Sequence, residues 1–231
     1  MRGPHDNQPL VAIGAPLPEA AAAVVLVHGR GDSARGILGL AAAFDRPDLA
    51  YLAPQAAGGA WYPHSFLAPL ADNEPGLSSG IRAVLRAVAA AEAAGIPRAR
   101  IVLGGFSQGA CLIAETAARS PGRWGGLFCL SGGLLGTGEG PTGARRVRGM
   151  GGAYAEKAFD YDGSMEATPV FVGCSDVDPH IPLARVERTA QVFRDLGAVV
   201  DARVYPGMGH TVNPEEVAAV RALLAEATAE P

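Results

Sequence analysis

A serine between two glycines is the first sign of chemistry in this chain. GFSQG at 105–109 places Ser107 directly after the apolar run 101–104 and before the helix-compatible segment 110–119. A strand, a sharp turn and a helix are the surroundings in which a G-x-S-x-G sequence presents a nucleophilic serine. The glycines permit the strained turn and close packing around it. The competing interpretation is a serine that merely caps a helix at a strand-to-helix turn.

A serine hydroxyl becomes a useful nucleophile only when a neighbouring base takes its proton. The chain has five histidines. Loops at the carboxyl ends of strands collect ligand-facing residues in open α/β sheets, and His210 follows the last predicted strand and precedes the last predicted helix. We therefore predict His210 as the base. Of the other four, His5 lies in an N-terminus expected to fray, His28 ends a strand, His64 lies in an aromatic-rich loop and His180 follows an Asp-Pro pair.

The imidazole in turn needs an acid that fixes its tautomer and stabilises its charged form. The segment GCSDVDPHIP at 173–182 also follows a predicted strand and offers Asp176 and Asp178. The resulting order of serine, aspartate and histidine is the order found in α/β-hydrolases. An alternative is that Asp176, Asp178 and His180 bind a divalent metal, since they supply suitable ligand atoms. The residues alone leave the choice between the two aspartates open.

Acyl transfer also requires hydrogen-bond donors for the oxyanion of the tetrahedral intermediate. VHGRGD at 27–32 follows an early strand and resembles the His-Gly loops that contribute one backbone N–H. In this interpretation Arg30 supplies that amide and Gln108, the residue after the serine, supplies the other. His28 then holds its loop by hydrogen bonds, and the Arg30 side chain could meet an acidic substrate.

Together the motifs HGRGD, GFSQGA, DVDPHIP and GMGHTV resemble the phospholipase/carboxylesterase group of α/β-hydrolases, which includes bacterial carboxylesterases and acyl-protein thioesterases. The resemblance runs from about residue 24 to the C-terminus. It implies that Ser107 is the nucleophile, His210 the base and Asp178 the acid, and that the amides of Arg30 and Gln108 form the oxyanion hole. It also implies that neither a metal nor an organic cofactor is needed.

The elements that must position these residues alternate between short apolar runs and amphipathic segments, a pattern typical of a doubly wound, mostly parallel sheet with helices on both faces. We expect an α/β-hydrolase fold in a single domain over 1–231, with a long Gly/Arg-rich loop at 136–152. The helix predicted over 79–94 has a serine before it, and the last helix has Asn213 as its N-cap. Strands are predicted at 24–28, 51–53, 101–104, 127–131, 170–173 and 199–204, with a weaker one at 10–14.

Composition excludes several classes of protein. The chain has 231 residues, is 48% hydrophobic and carries a net charge of −4, so it offers no polybasic surface for nucleic acid or anionic lipid. Three irregularly spaced cysteines argue against a disulfide framework and fit a reducing compartment. The N-terminal residues lack the apolar core of a signal peptide, and no apolar run is long enough to span a membrane. We expect a cytoplasmic protein without stable membrane insertion.

The expected substrate is a small-molecule carboxylic ester, of short to medium chain length. Trp61, Tyr62 and Phe66 form the densest aromatic cluster, and they could either line an acyl pocket or belong to a satellite core. Met208 lies two residues before His210 and could line the same pocket. The alternatives are a thioesterase or lysophospholipase with the same triad, and a non-catalytic homologue that binds a small ligand. The sequence leaves a homodimer open.

Overall fold

The computed structural model describes residues 3–137 and 158–229. Within them seven strands form one sheet in the order β1-β3-β2-β4-β5-β6-β7, with every neighbouring pair parallel except β1 and β3. Most of the predicted loop, residues 138–152, lies outside the described residues, and the single domain stays a prediction. The strands are β1 (Leu10–Gly14), β2 (Ala23–Val27), β3 (Ala50–Pro54), β4 (Ile101–Phe106), β5 (Gly126–Leu130), β6 (Pro169–Ser175) and β7 (Val199–Tyr205).

Helices cover both faces of the sheet, which confirms the predicted fold class. One apolar core lies between the sheet and the first, second and last helices, and the other between the sheet and the remaining three. Strands β2, β3 and β5 are buried along their whole length, as parallel strands covered on both faces require. The α-helices are α1 (Ala34–Ile37), α2 (Gly39–Phe44), α3 (Gly76–Ala93), α4 (Gln108–Arg119), α5 (Leu183–Asp195) and α6 (Pro214–Glu226).

Helix α3 begins earlier than the sequence predicts, and the expected serine cap is wrong. Pro75 stands at the N-cap position, and Leu77 in the first turn is completely buried, so the apolar face starts before the serines. Ser79 lies inside the helix, where its hydroxyl accepts a hydrogen bond from the His5 amide at 2.9 Å. His5 is therefore not frayed: it is 1% exposed, and its ring Nε2 lies 2.9 Å from the Trp61 carbonyl oxygen.

The N-terminus of α6 follows the prediction. The Asn213 side chain accepts a hydrogen bond from the Glu216 amide at 2.9 Å, and the Glu216 carboxylate accepts one from the Asn213 amide at 2.9 Å. This reciprocal capping box fixes the start of the helix. It thereby fixes the end of the loop that carries His210. Among the described residues, no helix has both the length and the apolar character needed to cross a bilayer.

Candidate active site

Ser107 occupies the turn between β4 and α4 in a backbone conformation that non-glycine residues rarely adopt. Its φ is 55° and its ψ is −120°. Such strained residues persist only where surrounding contacts determine the backbone. Here the Ser107 amide donates to the Leu130 carbonyl of β5 at 2.9 Å, and its carbonyl accepts from Cys111 in the first turn of α4. The turn places Ser107 at the carboxyl end of β4.

The two glycines that flank the serine motif are required by close backbone approach. A Cβ atom on Gly105 would lie 2.7 Å from the carbonyl carbon of Gly109, and one on Gly109 would lie 2.0 Å from the carbonyl oxygen of Val27. Both distances are shorter than carbon atoms tolerate, because the neighbouring atoms belong to backbone that cannot move aside. The glycines therefore let α4 start directly against the ends of β4 and β2.

Replacing Gly109 by alanine is expected to lower the free energy of unfolding by about 1–3 kcal/mol, because the new methyl group would overlap the Val27 carbonyl. The matched control is Gly39→Ala in α2, where an added Cβ meets no atom within 4 Å. That change should be neutral or slightly stabilising, since alanine favours a helix. Urea unfolding of both variants measures the difference, and equal stabilities would contradict the close-approach argument.

His210 connects Ser107 to Asp178 through an unbroken chain of hydrogen bonds. Its Nε2 lies 2.8 Å from the Ser107 Oγ, and its Nδ1 lies 2.7 Å from the Asp178 Oδ2. In the productive tautomer, Nδ1–H donates to the carboxylate and Nε2 accepts from the hydroxyl. The rings of Phe106 and His180 lie 4.8 Å and 4.9 Å from the imidazole, centroid to centroid, and restrict its rotation.

The Asp178 carboxylate is held in place on both oxygens. Its side chain is completely buried, and Oδ1 accepts the amides of His180 at 2.8 Å and Ile181 at 3.0 Å. Burial by itself raises the pKa of Asp178, but the hydrogen bonds from His210, His180 and Ile181 outweigh it and leave the pKa below its ordinary value. An ionised carboxylate is therefore maintained beside the imidazole.

Asp176 does not reach His210. It is exposed, and its Oδ1 accepts the Gly207 amide at 2.8 Å, which joins the loop after β6 to the turn after β7. The metal interpretation is also not supported by the arrangement, because Asp176, Asp178 and His180 do not converge. Across residues 3–137 and 158–229 there is no group of three or more acidic, histidine or cysteine side chains arranged to hold a metal ion.

The residues predicted to form the oxyanion hole are both close to Ser107. Gln108 is the first residue of α4, and the loop that carries Arg30 packs on the serine, since a Cβ built on Gly29 would lie 3.4 Å from the Cβ of Ser107. Neither amide donates to another group within the described part of the chain. Both amides thus remain available to a developing oxyanion, and their assignment stays a prediction.

The side chains of Arg30 and Gln108 hold the loop at 61–64 in place by hydrogen bonds, a role that the sequence did not predict. The Arg30 guanidinium donates to three successive carbonyls, those of Tyr62 at 2.8 Å, Pro63 at 3.1 Å and His64 at 2.7 Å. The Gln108 amide group accepts from Trp61 N and donates to Tyr62 O, each at 2.9 Å. These bonds tie the loop at 61–64 to both candidate oxyanion donors.

A cavity of about 490 Å³ opens over Ser107 and His210. Of the four predicted pocket residues, Tyr62 and Phe66 line it and Trp61 and Met208 do not. Trp61 is fully buried and does not face the cavity; its Nε1 donates to the His28 carbonyl at 2.9 Å. The Met208 sulfur instead accepts from the Asn213 side chain at 3.0 Å. The lining residues that the sequence did not single out for the pocket are Pro63, His64, Ser65, Cys111, His180 and Ile181.

His28 has the structural role that the sequence predicts. Its ring is fully buried, with Nδ1 donating to the Gly29 carbonyl at 2.7 Å and Nε2 accepting from the Ala56 amide at 3.1 Å. Burial is the main reason that its pKa is lowered. A neutral His28 thus fixes the loop that bears the Arg30 amide.

Glu216, in the first turn of α6, makes the stability of the protein depend on pH. Burial raises its pKa to about 7 from the ordinary 4.5, and its Oε1 has no hydrogen-bond partner in the part of the chain described. Because folding raises this pKa, the stability is fully present below about 4.5 and is lost as the pH rises through about 7. The variant Glu216→Gln should remove that loss and be more stable than wild type at alkaline pH by about 1–3 kcal/mol.

Thermal unfolding at acidic and alkaline pH measures this effect. The control is Glu215→Gln, which alters an exposed carboxylate one residue away and should not change the pH profile. A Glu216→Gln variant with the same pH profile as wild type would contradict the prediction.

The mostly parallel sheet with helices on both faces, and a strained serine at the carboxyl end of its central strand β4, define an α/β-hydrolase fold. Within that class, the sequence model of the phospholipase/carboxylesterase family matches residues 9–227, and the chain belongs to this family. A phospholipase/carboxylesterase structure from Dyadobacter fermentans is 35% identical, with a TM-score of 0.84 over 97% of this chain and 98% of that one.

The curated relatives named acyl-protein thioesterase 1 include proteins from two fungi. The Saccharomyces cerevisiae protein is 26% identical over 228 residues, an alignment that covers 89% of this chain and 92% of that protein. The Gibberella zeae protein is 33% identical over 130 residues, which is 56% of this chain and 49% of the relative. The chain thus aligns with only about half the length of the second relative. Both similarities fit an esterase or thioesterase type of α/β-hydrolase.

Proposed function

We propose that this protein is a serine hydrolase that cleaves small carboxylic esters of short to medium chain length through an acyl-enzyme. The observation that carries the proposal is the hydrogen-bond chain from the Ser107 hydroxyl through His210 to the buried Asp178 carboxylate. Such a chain activates a hydroxyl that is otherwise a weak nucleophile.

In the first step, His210 Nε2 takes the proton of Ser107 as its Oγ bonds to the ester carbonyl carbon. The amides of Arg30 and Gln108 donate to the resulting oxyanion. The carbon–oxygen bond to the alcohol then breaks, and the leaving oxygen takes the proton from His210. In the second step, a water gives a proton to His210 as its oxygen bonds to the acyl carbon. The bond between that carbon and the Ser107 Oγ then breaks, and the Oγ takes the proton from His210 as the carboxylic acid product leaves. Asp178 stabilises the imidazolium in both steps.

The lining of the cavity supports a short to medium acyl chain. Tyr62, Phe66, Cys111 and Ile181 give it an apolar portion, and its volume of about 490 Å³ lies in the lower half of the range for ligand sites. The second candidate, a thioesterase, is favoured by the names of the curated relatives. The same mechanism applies to a thioester, with a thiol as the leaving group.

Hydrolysis of p-nitrophenyl esters from acetate to palmitate tests the proposal, together with thioesters of matching acyl chains. The highest kcat/KM is expected on short to medium esters. A strong preference for long chains or for thioesters would replace the proposal by the thioesterase or lysophospholipase alternative. No turnover of any substrate, combined with no labelling by a fluorophosphonate, would favour a non-catalytic ligand-binding protein.

A further inference from the structure

Strand β7 forms one edge of the sheet and is open to solvent. It pairs with β6 on one side, and no strand of the described residues pairs with its other side. Five of its seven residues are exposed, and Val199 and Val204 are 64% and 43% exposed. A long edge strand with exposed apolar side chains is a template for pairing with another chain, which proteins usually prevent by covering it.

Helix α6 does not cover this edge. A groove of about 220 Å³ lies between β7 and α6, and it is lined largely by apolar side chains, among them Phe171, Val199, Ala219 and Leu223. An apolar groove therefore lies directly beside the unpaired edge of β7. Two charged residues in the middle of the strand, Asp201 and Arg203, would be the remaining protection against pairing.

The arrangement of those charges allows one particular partner. The strand reads VVDARVY, with Asp201 and Arg203 placed symmetrically about Ala202. If a second copy of β7 pairs antiparallel about a two-fold axis at Ala202, each Asp201 lies opposite an Arg203 of the other copy. The same register places Val200 opposite Val204 and Val199 opposite Tyr205, which are favourable cross-strand pairs.

Neighbouring two-fold registers lack this complementarity. An axis at residue 201 would place two aspartates opposite each other, and an axis at residue 203 would place two arginines opposite each other, both of which are destabilising. The two side chains are also oriented together on one face, because Arg203 donates to Asp201 at 2.7 Å within the strand. The side chains of Arg203 and Asp201 are 44% and 51% exposed, so they are accessible to the charges of a second copy.

We propose that β7 is a homodimer interface at which two copies of this chain pair antiparallel about Ala202 and continue the sheet from one copy into the other. An isologous contact of this kind closes on itself, so it gives a dimer rather than a filament. The interface lies at the sheet edge and its existence does not rest on the proposed ester hydrolysis.

A cysteine at the axis tests the register directly. In the proposed dimer the two copies of residue 202 lie directly opposite, with Cα atoms about 4.5–5.5 Å apart, which is within the range of a disulfide. The variant Ala202→Cys should form a disulfide-linked dimer under mild oxidation. The native cysteines in the described residues are buried and should not compete. The matched control, Ala12→Cys, changes an exposed alanine in the middle of β1, the other edge strand, and should stay uncrosslinked.

Charge variants followed by sedimentation velocity over a wide concentration range test the complementarity. Asp201→Arg or Arg203→Asp turns two attractive pairs into two repulsive ones, and each should weaken dimerisation by about tenfold or more. The double exchange D201R/R203D restores opposite charges and should recover the wild-type dissociation constant. The control Glu92→Arg makes the same change in charge at the end of α3 and should leave dimerisation unchanged.

Three results would each overturn the proposal. They are a wild-type protein that remains monomeric at every concentration, a dimer that withstands both single charge changes, and an Ala202→Cys variant that crosslinks no better than Ala12→Cys. The crosslink does not depend on the charge variants being stable, so loss of fold in a single variant leaves the proposal open to refutation. A protein that hydrolyses esters but remains monomeric at every concentration would refute the dimer and leave the proposed function intact.

Discussion

Ser107→Ala is expected to lower kcat on the best p-nitrophenyl ester by at least about a thousandfold and to abolish labelling by a fluorophosphonate. The substitution removes the Oγ that lies 2.8 Å from His210 Nε2, and with it the atom that would form the acyl-enzyme. Substrate binding should be little affected, because the cavity and both candidate oxyanion amides remain. The loss should therefore fall on kcat rather than on KM. Unchanged activity would refute the proposed mechanism.

A second variant separates the role of the hydroxyl from that of the strained backbone. Ser107→Gly lacks the same hydroxyl and should be equally inactive. It also removes the Cβ from a residue at φ 55°, where side chains are strained by about 1–3 kcal/mol. Ser107→Gly should therefore unfold at a higher temperature than Ser107→Ala, by differential scanning calorimetry. Equal or reversed stabilities would show that the turn does not store this strain.

Asp178→Asn is expected to lower kcat/KM by about 10⁴-fold. The amide oxygen can still accept from His180 and Ile181, so the loop should keep its path. The amide NH₂ group, however, would replace the Oδ2 that faces His210 Nδ1 and would donate to that nitrogen. The imidazole would then carry its proton on Nε2, where it could not accept the proton of Ser107.

Asp176→Asn is the matched control for this variant. It makes the same chemical change two residues earlier, and the asparagine oxygen can still accept the Gly207 amide. Its kcat/KM should stay within a few-fold of wild type. The two variants are compared on the same ester, with circular dichroism to verify the fold. Equal losses at both positions, or a greater loss at Asp176, would refute the assignment of Asp178.

The sequence predicted the elements and the local geometry well, because both depend on short-range features. The apolar runs correspond to β2–β7, and the weak run at 10–14 is a strand, although it pairs antiparallel. Asn213 caps α6 as its type and position indicate. Helix α3 was the exception, since a proline at its N-cap position and an early apolar face outweighed the serine signal. Local propensity is a weak guide wherever tertiary packing favours another boundary.

The same distinction between local features and tertiary contacts applies to the candidate site. The sequence by itself determined the kinds of residues, their order along the chain and the turn at Ser107, because the motif's glycines and the alternation of strands and helices are local properties. Only the tertiary structure decided that Asp178 rather than Asp176 meets His210, and that Arg30 and Gln108 bind the loop at 61–64. It also separated Tyr62 and Phe66, which line the cavity, from Trp61 and Met208, which do not. The physical reason is that these contacts join loops distant in sequence, so they depend on the three-dimensional path of each loop and not on residue type or spacing.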